Sequence, residues 1–279
     1  MQRRLKLLTG LSSIAFSGAL ALSACAGGEG EGTSAKAEDE RAAHHGAEEG
    51  SEAAPALIAS GGESEGAALV DVAHDKAAFY SALEIVRGHL LAGVELYNAG
   101  DRAMGSQHLR HPQAEIMTLL APVFKASGAM NIDPALDALA SASERGAPPA
   151  EIAELYSAAL SAISFASMAN EPTLKDQLLG VSKSLQTAGD EYTIGVVDGA
   201  ISNLHEYHDS YGFIATALQD LEVMHGASRE ENDAIKLAIE QVKIAASAAP
   251  DVAPPVKGLK PASVIYGAAA RIEIIARGL

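Results

Sequence analysis

The sequence predicts an all-α fold, a helical bundle built from antiparallel helix hairpins. Apolar residues upstream of Asn98 recur with the 3.6-residue period of one helix face. From residue 71 onward no segment shows the period-two alternation typical of a strand, and turn-forming residues separate segments of helical length. Trp is absent and aromatic residues make up 4% of the chain, so we expect a core of Ala, Leu, Ile and Val. Such small side chains suit closely packed helices.

Residues 1–24 are predicted to be the signal peptide of a lipoprotein. A basic start precedes the mostly apolar segment 7–22. Residues 22–25, Leu-Ser-Ala-Cys, then resemble a bacterial lipoprotein cleavage box, and the chain's only cysteine, Cys25, stands where the lipid would be attached. The alternative is an ordinary signal peptide or a short membrane anchor with a chance cysteine. By resemblance to lipoprotein sorting rules, Ala26 favours the outer membrane of a two-membrane bacterium.

Two further regions follow the signal peptide. Residues 25–70 are predicted to form a disordered acidic tether, because they are rich in Gly, Ala, Ser and Glu and have almost no large apolar side chain before Leu57. Residues 71–279 are predicted to form the all-helical domain. After the signal peptide no segment reaches the roughly 18 unbroken apolar residues that a membrane-spanning helix requires.

The charge and the cysteine content exclude several classes of function. The net charge of the chain is −16, and an acidic surface repels nucleic acid and favours cations as ligands. Nucleic-acid binding is therefore excluded. With one cysteine, predicted to carry a lipid, an internal disulfide and a thiolate metal site are excluded as well.

Eight helices are predicted in the helical domain. Their approximate bounds are 74–98, 101–126, 134–144, 149–169, 172–197, 203–225, 228–247 and 262–277. Pro112 falls inside the second of them and is expected to kink it directly beside His111.

The first predicted hairpin contains the densest set of candidate metal ligands. Its turn is residues 98–101, Asn-Ala-Gly-Asp, in which glycine can take a left-handed backbone and aspartate can cap the next helix. Three candidate ligands lie on one line of that next helix: His108, His111 and Glu115. In an antiparallel hairpin His89 comes level with them. We therefore expect three imidazoles and a carboxylate to meet at one height.

A second hairpin is predicted around residues 198–199, Asp-Gly. Glu191 and Asp209 lie about nine residues on either side of the turn, so with Glu206 they could mirror the histidines of the first hairpin. Asn203 is expected to cap the following helix, and Glu206 to complete a capping-box-like pattern, which would be a structural role. If the two hairpins pack face to face, a site of imidazoles and carboxylates would close between them.

The candidate ligands are nitrogen and oxygen atoms without sulfur, which favours iron, zinc, manganese or divalent copper. The alternative is a chance stripe of surface histidines. The spacing of three between His205 and His208 does not fit the HExxH motif of zinc proteases. Both are predicted to be surface residues, and a ligand role for either is the alternative. No Ser, His and Asp set has the context of a nucleophile and no P-loop is present, so no catalytic residue is predicted.

Two parts of the chain resemble known families. The stretch 191–209, from Glu-Tyr through Gly-Val-Val-Asp-Gly to Glu-Tyr-His-Asp, resembles a segment in the periplasmic extension of bacterial Ftr-type iron permeases. The stretches 99–115 and 132–137, the latter Ile-Asp-Pro-Ala-Leu-Asp, are similar to imelysin-like periplasmic proteins of iron uptake. The Gly-x-His-x-x-Glu motif of imelysin-like proteins is missing, and so are the membrane helices of the permeases. The resemblance implies an extracytoplasmic helical module associated with metal acquisition.

These patterns together predict a lipoprotein that binds a transition metal ion, with iron or copper favoured, in support of metal uptake. The predicted metal ligands are His89, His108, His111, Glu115, Glu191, Glu206 and Asp209. The predicted partners are the membrane, through the lipid on Cys25, and metal-uptake machinery on the periplasmic side of the cell envelope. Two alternatives stay open: a structural or adaptor envelope lipoprotein that binds no metal, and a metal-dependent enzyme, for which the sequence offers no general base.

Overall fold

The computed structural model describes residues 72–127 and 130–279, which form the all-α helical bundle that the sequence predicts. The predicted signal peptide, the tether and Cys25 lie outside the described residues. The helices have the following bounds: α1 Lys76–Ala99, α2 Arg102–Glu115, α3 Met117–Ser127, α4 Asp133–Glu144, α5 Pro149–Ala169, α6 Leu174–Gly195, α7 Leu204–Val223, α8 Arg229–Ala246 and α9 Ser263–Arg277.

Helices α6 to α9 form a four-helix bundle. In this bundle α6 packs against α7 and α9, and α8 packs against the same two helices. The N-terminal helices are layered on one side, with α1 packed against both α6 and α7, α2 on α1, α4 on α2, and α5 on α1 and α4. Phe79 and Val86 of α1 and Phe213 of α7 belong to one continuous hydrophobic core. The bundle and the N-terminal layer therefore share their buried surface, and α1 lies at the junction.

The first hairpin turns where the sequence predicts. Gly100 has a φ of 104°, a left-handed conformation that glycine adopts at little cost. The Asp101 side chain accepts a hydrogen bond from the Met104 N–H and so caps α2. The predicted turn at Gly100 and the predicted cap at Asp101 are both confirmed. Together they determine where α2 begins relative to the end of α1.

The second predicted helix, 101–126, is wrong in one respect, because it is two helices. The α-helix continues through Pro112 and ends at Glu115, and α3 begins at Met117. Proline removes one N–H donor from the helix, which weakens the turn before the break. The break at Ile116 leaves the histidines of α2 in regular helical geometry.

The second hairpin contains a short two-stranded ribbon that its sequence does not predict. Strand β1, Val196–Val197, pairs antiparallel with strand β2, Ala200–Ile201. Asp198 and Gly199 between them have φ values of 52° and 73°, which is the two-residue turn with both residues left-handed. This turn returns the chain from α6 into α7.

Two pairs of glycines let the helices around the site approach closely. Where α1 meets α7, a Cβ added to Gly212 would overlap the carbonyl oxygen of Gly88. Where α1 meets α2, a Cβ added to Gly105 would lie 2.7 Å from the carbonyl oxygen of Gly93. Because His89 follows Gly88 directly, the first contact sets how near His89 comes to α7.

Helix α5 is, within the described ranges, the one helix that is long and apolar enough to cross a membrane by length and composition. Its sequence is interrupted by Glu151 and Glu154, which is why no unbroken apolar run is present. In the structure it packs against α1 and α4, with Ile152 and Ile163 buried and Met168 exposed. An apolar helix of a packed domain satisfies the same criterion.

Candidate metal centre

Four of the predicted residues, brought from three helices, converge in the interior. His89 comes from α1, His108 and His111 from α2, and Asp209 from α7. Each offers one ligand atom, and the four atoms all lie within 4.8 Å of one another. The side chains of His89, His108 and Asp209 are fully buried, and that of His111 is 13% exposed. This set, called the His/Asp cluster below, could hold a metal ion.

The packing of the two hairpins explains the convergence. The turn between α1 and α2 brings His89 beside His111, with their ring centroids 4.8 Å apart. Packing of α7 against α1 then adds Asp209 from the second hairpin. The two hairpins therefore face each other at this height, an arrangement that the sequence left open.

Asp209 is the centre of the hydrogen bonding. Its Oδ1 atom accepts from His89 Nδ1 at 2.7 Å and from His108 Nδ1 at 2.8 Å. Burial raises the pKa of Asp209, but the adjacent His89 and His108 outweigh it and hold the pKa well below its usual range. Because an ionised carboxylate only accepts hydrogen bonds, both Nδ1 atoms carry a hydrogen and donate it to Asp209.

Glu115 orients His111 from outside the cluster. Glu115 Oε1 lies 2.6 Å from His111 Nε2, so in the ionised state of Glu115 this nitrogen carries the ring hydrogen. His111 Nδ1 is then the basic nitrogen, and it lies 3.9 Å from Asp209 Oδ2. A carboxylate on the far nitrogen of a histidine fixes the tautomer of a metal ligand. Glu115, predicted as a ligand, thus lies beside the convergent set and contacts one of its members.

His205 and His208 also lie at the cluster, so the prediction that they are surface residues is wrong. His208 is 2% exposed, and its ring centroid lies 5.4 Å from that of His108. His205 Nε2 lies 3.2 Å from His111 Nδ1 and 3.4 Å from Asp209 Oδ2. The ring of His205 stacks on that of His108 at 4.1 Å. The signal available in the sequence was the spacing of four between His205 and Asp209, which puts both on one line of a helix.

Glu191 and Glu206 are buried outside the convergent set. Burial raises the pKa of Glu206, and a hydrogen bond with Glu191 partly offsets the rise. Asn203 caps α7 as predicted, because its side chain accepts from the His205 N–H. The predicted capping box is wrong, because Glu206 Oε1 accepts from the Asn203 side chain at 3.3 Å, whereas the backbone N–H of Asn203 donates to the carbonyl of Gly195. The two glutamates therefore form a separate carboxyl pair within the same hairpin as Asp209.

The buried polar atoms of the cluster fit a metal ion. Within the described ranges His108 Nε2 and Asp209 Oδ2 have no hydrogen-bond partner, and neither has Nδ1 of the neighbouring His208. An unsatisfied buried polar atom costs about 1–3 kcal/mol, which a bound ion would recover at the atoms that it contacts. Bonds of about 2.0–2.2 Å allow two ligand atoms to lie up to about 4.3 Å apart. The widest pair in the His/Asp cluster, at 4.8 Å, would need to close by only about 0.5 Å.

Acidification is expected to destabilise the metal-free protein. Burial lowers the pKa of His205 and that of His208 to about 4. Between about pH 6.5 and about pH 4 the unfolded chain therefore binds protons that the folded chain does not, so the free energy of unfolding decreases as the pH falls through this window. The expected loss is a few kcal/mol, at about 1.4 kcal/mol per pKa unit, and urea unfolding with a chelator at several pH values would measure it.

Two substitutions separate this effect from general acid sensitivity. His208→Gln removes one of the two titrating groups and should flatten the pH dependence, whereas His225→Gln, at an exposed residue, should leave it unchanged. An equally steep dependence in the His208→Gln variant would contradict the prediction.

The fold and the site define an all-helical protein in which five histidines and an aspartate lie together, and three of these histidines with the aspartate could hold a metal ion. Residues 166–275 match the family model of the iron permease-associated 4-helix bundle domain. Searches of curated proteins and of solved structures gave no match.

The matched segment corresponds to the end of α5 and to the bundle α6 to α9, and it covers less than half of the chain. It includes the stretch 191–209, so the predicted likeness to a segment associated with Ftr-type iron permeases is confirmed. The likeness to imelysin-like proteins is not tested by this match and stays a prediction. Asp209 lies within the matched segment, whereas the three histidines of the His/Asp cluster lie outside it.

Proposed function

We propose that this protein binds a transition metal ion, iron or copper, at the His/Asp cluster and supports metal uptake at the cell envelope. The observation that carries the proposal is the convergence of four ligand atoms from His89, His108, His111 and Asp209 within 4.8 Å. The likeness of residues 166–275 to an iron permease-associated domain supports iron as the ion and uptake machinery as the partner.

The lipid anchor is part of the same proposal. A lipid on Cys25 would hold the protein on the periplasmic side of a membrane, with the outer membrane favoured where two membranes are present. The stretch 25–70 would then connect the anchor to the helical domain. Mass spectrometry of the protein purified from membranes tests this part, since it would show a diacylglycerol-modified Cys25 at the N-terminus.

The protonation states suit capture of a cation. At neutral pH His205 and His208 are uncharged, because burial lowers the pKa of each to about 4, so no proton competes for their lone pairs. Asp209 supplies a buried negative charge. A divalent ion bound to this one carboxylate leaves one positive charge, and Glu115, which contacts His111, offers a second carboxylate to balance it. Binding and release require no catalytic residue, and none is assigned.

Calorimetric titration of the full chain tests the proposal. After treatment with a chelator, we expect one ion per chain with a dissociation constant in the micromolar range or tighter, for Fe²⁺ without oxygen and for Cu²⁺. The double variant His108→Ala/His111→Ala should lose at least about 100-fold in affinity, because it removes two of the four converging groups. His44→Ala/His45→Ala, in the predicted tether, is the matched control and should bind like the wild type.

The other outcomes favour the alternatives. Absence of binding by the wild type at micromolar metal would leave a structural or adaptor protein. Loss of binding in the His44→Ala/His45→Ala variant would move the site to the tether. Turnover by the metal-loaded chain, as oxidation or hydrolysis, would favour the metal-dependent enzyme.

A further inference from the structure

Three ligand atoms on one side of the cluster already have the spacing of a metal site. His111 Nδ1 and His205 Nε2 are 3.2 Å apart, His205 Nε2 and Asp209 Oδ2 are 3.4 Å apart, and His111 Nδ1 and Asp209 Oδ2 are 3.9 Å apart. The point equidistant from the three atoms lies about 2.0 Å from each, which is the length of a metal–nitrogen or metal–oxygen bond of about 2.0–2.2 Å. These three side chains could therefore hold an ion without moving.

The surrounding hydrogen bonds direct these atoms to one point. Asp209 Oδ1 accepts hydrogen bonds from the N–H groups of His89 and His108. Asp209 Oδ2, by contrast, has no hydrogen-bond partner within residues 72–127 and 130–279. Glu115 accepts a hydrogen bond from the Nε2–H group of His111, so the ring lone pair of His111 is on Nδ1. His205 becomes a ligand when its ring hydrogen moves from Nε2 to Nδ1, a change of tautomer that releases no proton.

We propose that the ion is held by His111 Nδ1, His205 Nε2 and Asp209 Oδ2, and that His89 and His108 position Asp209 without contacting the ion. This inference rests on the proposed function, and within it His205 of α7 takes the place of His89 and His108 as a ligand. Two imidazoles and one carboxylate with open positions are the donor set of ferrous iron sites. The same donor set also holds zinc, so the geometry assigns a divalent transition metal ion, and the likeness of residues 166–275 to an iron permease-associated domain favours Fe²⁺ as the cargo.

The location of the three atoms suits a carrier. The side chains of His205 and His111 are 23% and 13% exposed, whereas those of His89 and His108 are fully buried. An ion on the three atoms thus lies on the side of the cluster nearer to solvent. The coordination positions of the ion that these three atoms do not occupy can be filled by water or by a ligand from an acceptor protein. The ion can therefore bind to the acceptor before His111, His205 and Asp209 dissociate from it.

Nitrogen NMR of the full chain labelled with ¹⁵N-histidine identifies the coordinating atoms, with Zn²⁺ as a diamagnetic probe. On addition of one equivalent we expect two imidazole nitrogens to move to the metal-bound chemical shift range, Nδ1 of His111 and Nε2 of His205. The Nδ1 atoms of His89 and His108 should keep their hydrogens. Fe²⁺ added without oxygen should broaden the resonances of the same two rings first. Metal-bound shifts at His89 or His108 in place of His205 would overturn the inference.

Affinities of single variants provide the second measurement. His205→Ala changes a partly exposed side chain, so the fold should persist, and we expect roughly 100-fold weaker binding of Zn²⁺ and Fe²⁺. His89→Ala should weaken binding by only about tenfold, because its effect passes through Asp209. His225→Ala, at an exposed residue, is the control and should bind like the wild type.

The two proposals fail in different ways. If the wild type binds neither ion, both the proposed function and this inference are wrong. If the wild type binds an ion and His205→Ala binds it equally tightly, the proposed function stands and the assignment of His205 is wrong.

Discussion

Asp209→Asn is expected to weaken metal binding by about 100-fold or more, or about 2.7 kcal/mol, the largest effect of a single substitution at the cluster. Asp209 is the one carboxylate in the convergent set, and both of its oxygens have a role. Oδ1 accepts from His89 and His108, and Oδ2 is the oxygen that faces His111 and His205. Asparagine keeps the shape of the side chain but removes the charge and one acceptor.

Titration with Zn²⁺ and Fe²⁺ would measure this loss, with circular dichroism to confirm that the helices persist. The matched control is Asp233→Asn, which removes an exposed carboxylate on α8 that contacts only Arg229 and Lys236 among the ion pairs of the described residues. Unchanged affinity in the Asp209→Asn variant would place the ion elsewhere in the protein.

Gly212→Ala is expected to destabilise the fold by about 1–3 kcal/mol and to reduce metal affinity together with it. The added Cβ would overlap the carbonyl oxygen of Gly88 and lie 3.2 Å from the Cβ of Ala92. These are backbone and short side-chain atoms of α1, so they can yield only if α1 moves away from α7. That movement would lengthen the 2.7 Å contact between His89 and Asp209.

Chemical unfolding with and without Zn²⁺ would measure both effects. Gly267→Ala on α9 is the matched control, because the nearest atom to its added Cβ is the flexible end of Arg271 at 3.3 Å. Alanine in the interior of a helix is favoured over glycine by roughly 0.5–1 kcal/mol, so this variant should be as stable as the wild type or more so. Wild-type stability in the Gly212→Ala variant would show that the two helices are not held in close contact.

The sequence predicted the helices and part of the site for clear physical reasons. The bounds of α1, α5 and α9 follow from local periodicity and from turn and cap signals such as Gly100 and Asp101, which act within a few residues. His108 and His111 were found because one helix places them on one line. His205 was missed because, apart from Asp209, its neighbours in the site come from another helix, α2.

The local sequence and the tertiary structure determine different features of this protein, and the reason is the distance along the chain over which the contacts act. The order and approximate bounds of the helices, the two turns and the acidic charge are determined by the sequence itself, since they depend on residues close together in the chain. Only the tertiary structure decides that α7 packs on α1 through Gly88 and Gly212, and so brings Asp209 to His89. Which side chains meet depends on how near and at what height helices pack, and those distances are set by contacts between residues more than a hundred positions apart.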